Sequence, residues 1–123
     1  MKTPVNIKWF YEPEEHDYTA AESYLSLFYK SDFISNLVTQ LKAVEITEFK
    51  AKDIFRASRL SLLGVSNSHV EKDKEKIAKG KKLSPLLLVR DSANGMVIIA
   101  DGYHRLCAVY TINEDASIPC KII

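Results

Sequence analysis

The Asn94-Gly95 pair separates two apolar runs, Leu86-Leu87-Leu88-Val89 and Met96 to Ala100, which is the pattern of a β-hairpin. Ser84-Pro85 opens the first strand, Leu86 to Arg90, and Asp91 to Gly95 is the turn. Asp101-Gly102 breaks the returning strand. Tyr103 to Ile112 then has helical spacing, with Leu106, Val109 and Tyr110 inward and Asn113 placed to end the helix. Ile118 to Ile123 reads as a closing strand. Strand, helix and strand in this order predict a small sheet packed with helices.

Upstream, helical patterns dominate. Thr19-x-x-Glu22 has the form of a capping box ahead of Tyr24, Leu25, Leu27 and Phe28. Ser31 or Asp32 is placed to cap a second helix whose face is Phe33, Ile34, Leu37, Val38 and Leu41. Val44 to Phe49 predicts a short strand, Ala51 to Ser58 a short helix buried through Ile54 and Phe55, and Gly64 to Ser68 a loop. Ser68-x-x-Glu71 is a second capping box, opening a polar helix that Gly80 ends in a left-handed conformation. The expectation is an α/β (α+β) fold in one domain spanning 1–123, with a mainly helical part over 1–67 and a core over 68–123.

At 123 residues the chain is long enough to bury a core without disulfides. Its apolar runs fall far short of the roughly 20 residues of a membrane span. Pro4, Asn6 and Lys8 interrupt any secretory apolar region, so a cytoplasmic protein with no membrane partner is expected. The formal net charge of +1 argues against a dedicated nucleic-acid binder but hides an asymmetry. No Lys or Arg lies between Lys8 and Lys30, whereas Val70 to Lys82 carries Lys72, Lys74, Lys76, Lys79, Lys81 and Lys82. An anionic partner should therefore meet the second half. Cys107 and Cys120 form no C-x-x-C, so zinc and thioredoxin-like chemistry have little support and no metal-ligand set is read. Reduced structural thiols are expected, with a single disulfide left open.

The residues best placed for chemistry are Asp101-Gly102-Tyr103-His104-Arg105, where a strand ends and a helix begins. The first N–H groups of a helix have no partner within it, and the helix dipole places partial positive charge there. Gly102 permits close approach to the backbone, and Arg105 offers a planar fork matched to phosphate oxygens. A cation at this position opposes the dipole, which a bound anion would offset. The other reading pairs Arg105 with a carboxylate such as Glu114 or Asp115.

The run Gly102-Tyr103-His104-Arg105-Leu106-Cys107-Ala108, with Ile118-Pro119-Cys120-Lys121-Ile122 after it, resembles the core of the ParB/sulfiredoxin superfamily. The capped helix, Lys79-Gly80-Lys81-Lys82 and Ser84-Pro85 extend the similarity upstream to Ser68. The resemblance implies a nucleotide ligand, a tri- or diphosphate with or without Mg2+. It implies that Gly102, Tyr103, His104 and Arg105 hold phosphates, with Ser84 and the Lys72–Lys76 helix nearby. Tyr103 stands where sulfiredoxin has its catalytic Cys, so sulfinic-acid reduction is not expected. Tyr-His-Arg stands where the partitioning proteins have Glu-Arg-Arg, and no helix-turn-helix follows, so chromosome partitioning is not expected either.

Further candidates have a functional and a plain reading. Lys72, Lys76 and Lys79 recur at i, i+4 and i+7, as a basic stripe extending a phosphate site or as a solvated helix face. His69 touches phosphate or sits in the capping turn. Asp101 is a helix N-cap, or a carboxylate for magnesium or proton transfer. His16-Asp17 reads as part of an acid–base pair or, the commoner case in an acidic loop, as a solvated pair. Trp9, Phe10, Tyr11 and Tyr18 stack on bases or, beside acidic residues that repel nucleic acid, staple the N-terminus to the core. The leading expectation is a nucleotide- or phosphate-binding protein with Asp101 and His104 as catalytic candidates. If it is an enzyme, phosphoryl transfer or nucleotide hydrolysis is the reaction. The alternative is a non-catalytic DNA- or protein-binding module.

Overall fold

The computed structural model describes residues 6–62 and 67–123. The element order is α1 (Glu15–Leu25), α2 (Ser31–Ala43), β1 (Thr47–Lys50), α3 (Ala51–Ser58), α4 (Ser68–Ala78), β2 (Leu86–Asp91), β3 (Met96–Asp101), α5 (Tyr103–Ile112) and β4 (Ser117–Ile122). The strands form one mixed sheet in the order β1-β4-β2-β3. β2 pairs antiparallel with β3 and parallel with β4, and β1 runs antiparallel to β4. The fold is α+β, as the sequence pattern implies.

The unbroken run Leu86-Leu87-Leu88-Val89 has a simple cause: β2 is buried on both faces, so it needs no polar alternation. Leu86 and Leu88 point into a core shared with Ile54, Val70, Ile77, Leu106 and Val109 of α3, α4 and α5. Leu87 and Val89 point the other way, onto Tyr18, Ala21, Leu25, Leu37 and Leu41 of α1 and α2. The sheet is thus a middle layer with helices on both sides. Burying each such leucine contributes about 1.5–3 kcal/mol, which makes β2 the centre of the molecule.

The helical first part and the second part are not separate layers. β1 is an outer strand of the shared sheet, and α3 packs on the same face as α4 and α5. All of β1 is exposed, with Glu48 and Lys50 charging the edge, which discourages further strand pairing. Lys121 joins the layers from β4. Its buried ammonium donates to the Lys42 carbonyl at 2.9 Å and meets Glu12 at 3.1 Å.

Several local expectations change. Helix α1 begins four residues before Thr19, because Asp17 accepts the Glu14 N–H at 2.8 Å and closes the first turn. Thr19 lies inside the helix, Leu27 and Phe28 lie beyond its end, and Phe28 is exposed. Lys30 takes the N-cap position of α2, whose face is Ile34, Leu37, Val38 and Leu41 while Phe33 turns outward. The predicted strand over 44–49 shortens to Thr47–Lys50. Asn67 caps α4, accepting from His69 and Val70, and Ser68 becomes the first helical residue. Residues 64–66 of the predicted loop lie outside the described residues. Gly80 takes its left-handed conformation, with φ +70°. Trp9 bridges to Leu83 and packs on the core, whereas Tyr11 is exposed and staples nothing.

Candidate functional site

The end of β3 brings Asp101 and Gly102 beside the first turn of α5, and α4 lies across from that turn. Between them is a cavity of about 260 Å3, lined by His69, Lys72, Asp73, Lys76, Asp101, Gly102, Tyr103, His104 and Arg105. The sequence-predicted residues His69, Lys72, Lys76 and Asp101 to Arg105 therefore converge on one place. Lys72 and Lys76 share it because they are one helical turn apart on α4. Asp73, which the sequence reading passed over, lines the cavity as well. Its position, four residues after His69 on the same helix, was the available signal.

Ser84 does not line this cavity. Its hydroxyl donates to Glu14 at 2.8 Å and ties the start of α1 to the entry of β2.

Arg105 is held from within the protein. Its Nη2 donates to Asp101 at 3.0 Å and to the Pro85 carbonyl at 3.4 Å, and its Nη1 lies 3.9 Å from Asp17. Asp17 is 2% exposed, so the expected solvated His16-Asp17 pair is half wrong. Asp17 is a buried carboxyl that joins α1 to Arg105, and only His16 lies in solvent. Neither Glu114 nor Asp115 is the partner of Arg105; Asp115 pairs with Lys52 at 2.7 Å.

The N-cap of α5 is Gly102, with φ +110° and no side-chain cap. Asp101 therefore is not the cap; its carboxylate turns to Arg105. The glycine is required by its own surroundings. A Cβ there would lie 2.7 Å from Leu86 Cγ and 2.9 Å from Arg105 Nη2, in a backbone region that L-residues avoid. Close approach at Gly102 is thus made by Leu86 and Arg105.

Electrostatics sharpen the picture. Burial pushes the Asp101 carboxyl up to about 6, and Asp17 facing it adds to the rise, while Arg105 opposes it. Burial also raises Asp73 against the pull of Arg105, Lys76, His104 and His69. His104 is held below the ordinary imidazole value, first by burial and then by His69 and Arg105, with Asp73 opposing. Near neutral pH the site therefore presents a neutral His104 imidazole beside two lysines. The rings of His69 and His104 are 4.8 Å apart.

A second cavity of about 390 Å3 lies on the other side of the same strip and shares Asp101, Gly102, Tyr103 and His104. Its other walls are Ala20, Tyr24, Leu60, Ile99 and Ala100. A further cavity of about 330 Å3, between Phe28, Leu60 and β3, has no Lys, Arg or His on its walls. Cys107 and Cys120 are buried and form no disulfide. Burial pushes Cys120 up to about 12, which leaves it unreactive. No described helix is long and apolar enough to cross a membrane. No known protein family, curated protein or solved structure matches the chain.

Proposed function

We propose that this protein binds a nucleotide or another phosphate compound in the cavity between α4 and the start of α5. The observation that carries the reading is the shared placement of Lys72, Lys76, His69 and His104 around a helix N-terminus with no side-chain cap. Unpartnered helix amides and the helix dipole favour an anion, and the lysines supply its counter-charge. The similarity of Gly102 to Ala108 to a nucleotide-binding superfamily points the same way.

The roles differ from those the sequence implied. Arg105, already matched by Asp101 and Asp17, positions the β3–α5 corner; Lys72 and Lys76 are the main charged contacts. At about 260 Å3 the polar cavity falls below the roughly 300–1,000 Å3 of typical ligand sites. It suits the phosphate end of a ligand, and the adjoining, more apolar cavity takes the remainder. In turnover, His104 would carry a proton from its neutral form, and Asp101, titrating near 6, would exchange a second. Phosphoryl transfer or nucleotide hydrolysis is the reaction class that fits these groups.

Thermal unfolding with a panel of nucleotides, each with and without Mg2+, tests the reading. A ligand at about 100 times its Kd stabilises the fold by roughly 2.7 kcal/mol. The stabilisation should disappear in Lys72→Ala/Lys76→Ala. No shift with any nucleotide or with pyrophosphate would remove it.

The second reading, a non-catalytic module, draws on Lys79 and Lys81, which with Lys72, Glu75 and Lys76 border a shallow depression on α4. DNA retardation that falls steeply with salt, without any nucleotide effect, would favour it.

A further inference from the structure

We propose that the cavity between the end of α1 and the start of β3 binds a small organic ammonium ion, at a site independent of the anion cavity beside Gly102. Its volume is about 330 Å3, within the roughly 300–1,000 Å3 of typical ligand sites. Tyr24, Phe28 and Tyr29 supply aromatic walls, and Asp91, Met96 and Ile98 come from the strands beside them. Sheet register explains the meeting. Val89 and Ile98 pair and face the α1 layer. Asp91 and Met96 pair two residues further along, so the alternation of strand side chains directs both to that same face.

The rings form a continuous run. Tyr24 meets Phe28 edge-on with 5.2 Å between centroids, and Phe28 is tilted against Tyr29 at 6.4 Å. Phe28 is 52% exposed and Tyr24 37%, so part of each ring is open to a ligand. Asp91 supplies a counter-charge. It accepts from the Asn94 amide at 2.9 Å, and among the described residues no Lys, Arg or His pairs with it. The two arginines that flank the cavity in sequence are directed elsewhere. Arg59 donates to the Gly95 carbonyl, and Arg90 lines a cavity on the opposite face of the sheet.

These groups select the ligand by charge and surface. A phosphate or carboxylate would meet Asp91 with like charge and find no basic side chain on the walls. Sodium and potassium ions hold their water and have no apolar surface to bury. An alkylated ammonium sheds its water readily, is attracted to the faces of aromatic rings and matches the carboxylate.

The test is titration of the 15N-labelled full chain with choline at constant ionic strength, with NaCl and the uncharged isostere 3,3-dimethylbutanol as controls. The site predicts saturable amide shifts at Phe28, Asp91, Met96 and Ile98 with choline, and binding of the alcohol weaker by about fivefold or more. Phe28→Ala and Asp91→Asn should each weaken choline binding by a similar factor. Phe28 is exposed and Asp91→Asn retains an oxygen for Asn94, so both variants should fold, which far-UV circular dichroism verifies. Lys72→Ala/Lys76→Ala should bind choline as the wild type does. Absence of saturable shifts with choline would overturn the proposal. So would equal affinity for the alcohol, or choline binding unchanged in both Phe28→Ala and Asp91→Asn.

Discussion

Arg105 Nη2 lies 3.0 Å from Asp101 Oδ2, one helical turn away, across the junction where β3 gives way to α5. Both side chains are largely buried, at 15% and 16% exposure, and Asp17, which faces Asp101, lies 3.9 Å from Nη1 of the same guanidinium. One guanidinium thus joins two carboxyl groups, one from α1 and one from the end of β3. This cluster ties α1 to the corner that forms the candidate site.

Removing the cation should be costly. Arg105→Ala leaves Asp17 and Asp101 buried without a counter-charge, and breaking such a pair typically costs about 3–5 kcal/mol. Urea unfolding should show a loss of that order, partly restored by adding Asp101→Asn. A loss under about 1 kcal/mol would place the pair in the class of surface bridges.

Asp101 also predicts a pH dependence with a definite sign. Its carboxyl moves from 3.8 when unfolded to about 6 when folded, so the native state binds the proton more tightly. Its contribution is complete below pH 3.8 and is lost as pH rises through about 6. The melting temperature of the wild type should therefore fall, relative to Asp101→Asn, as pH is raised across that window. A difference that stays flat, or grows the other way, contradicts the assignment.

Gly102→Ala should destabilise the fold through backbone strain and through the contact of the new methyl group with Leu86. A residue forced into such a conformation costs of order 1–3 kcal/mol. Gly95→Ala is the comparison. It too has positive φ, but the nearest atom to a Cβ there is the flexible Arg59 terminus at 3.6 Å, so the loss should be smaller.

Ser84→Ala separates the structural from the ligand role of that serine. Loss of its bond to Glu14 should cost about 1–2 kcal/mol. Anion affinity should be unchanged, because Ser84 lies outside the cavity.

The parts of the fold legible in the sequence were those with local causes. Leu86 to Val89 and Asn94-Gly95 located the hairpin, and helix α5 begins and ends where the apolar spacing put it. The placement of α4 against the Gly102 corner was expected only from the family resemblance, since the positions of Lys72, Lys76 and His69 fitted a solvated helix face equally well. What escaped depended on distant neighbours. Nothing local distinguishes Asp17 from the exposed His16 beside it; only the docking of α1 on the sheet buries one and leaves the other in water. For the same reason Arg105 read as a ligand contact, its two partners being 4 and 88 residues away. Gly102 read as a place for ligand approach, whereas the packing of Leu86 accounts for it.

The most direct measurement is a 1H–15N spectrum of the protein titrated with pyrophosphate at constant ionic strength. The anion-site reading predicts saturable shifts concentrated at the amides of Tyr103, His104 and Arg105, together with the α4 residues His69, Lys72 and Lys76, all lost in Lys72→Ala/Lys76→Ala. Shifts spread over every lysine-bearing surface, or confined to residues remote from this corner, would contradict it.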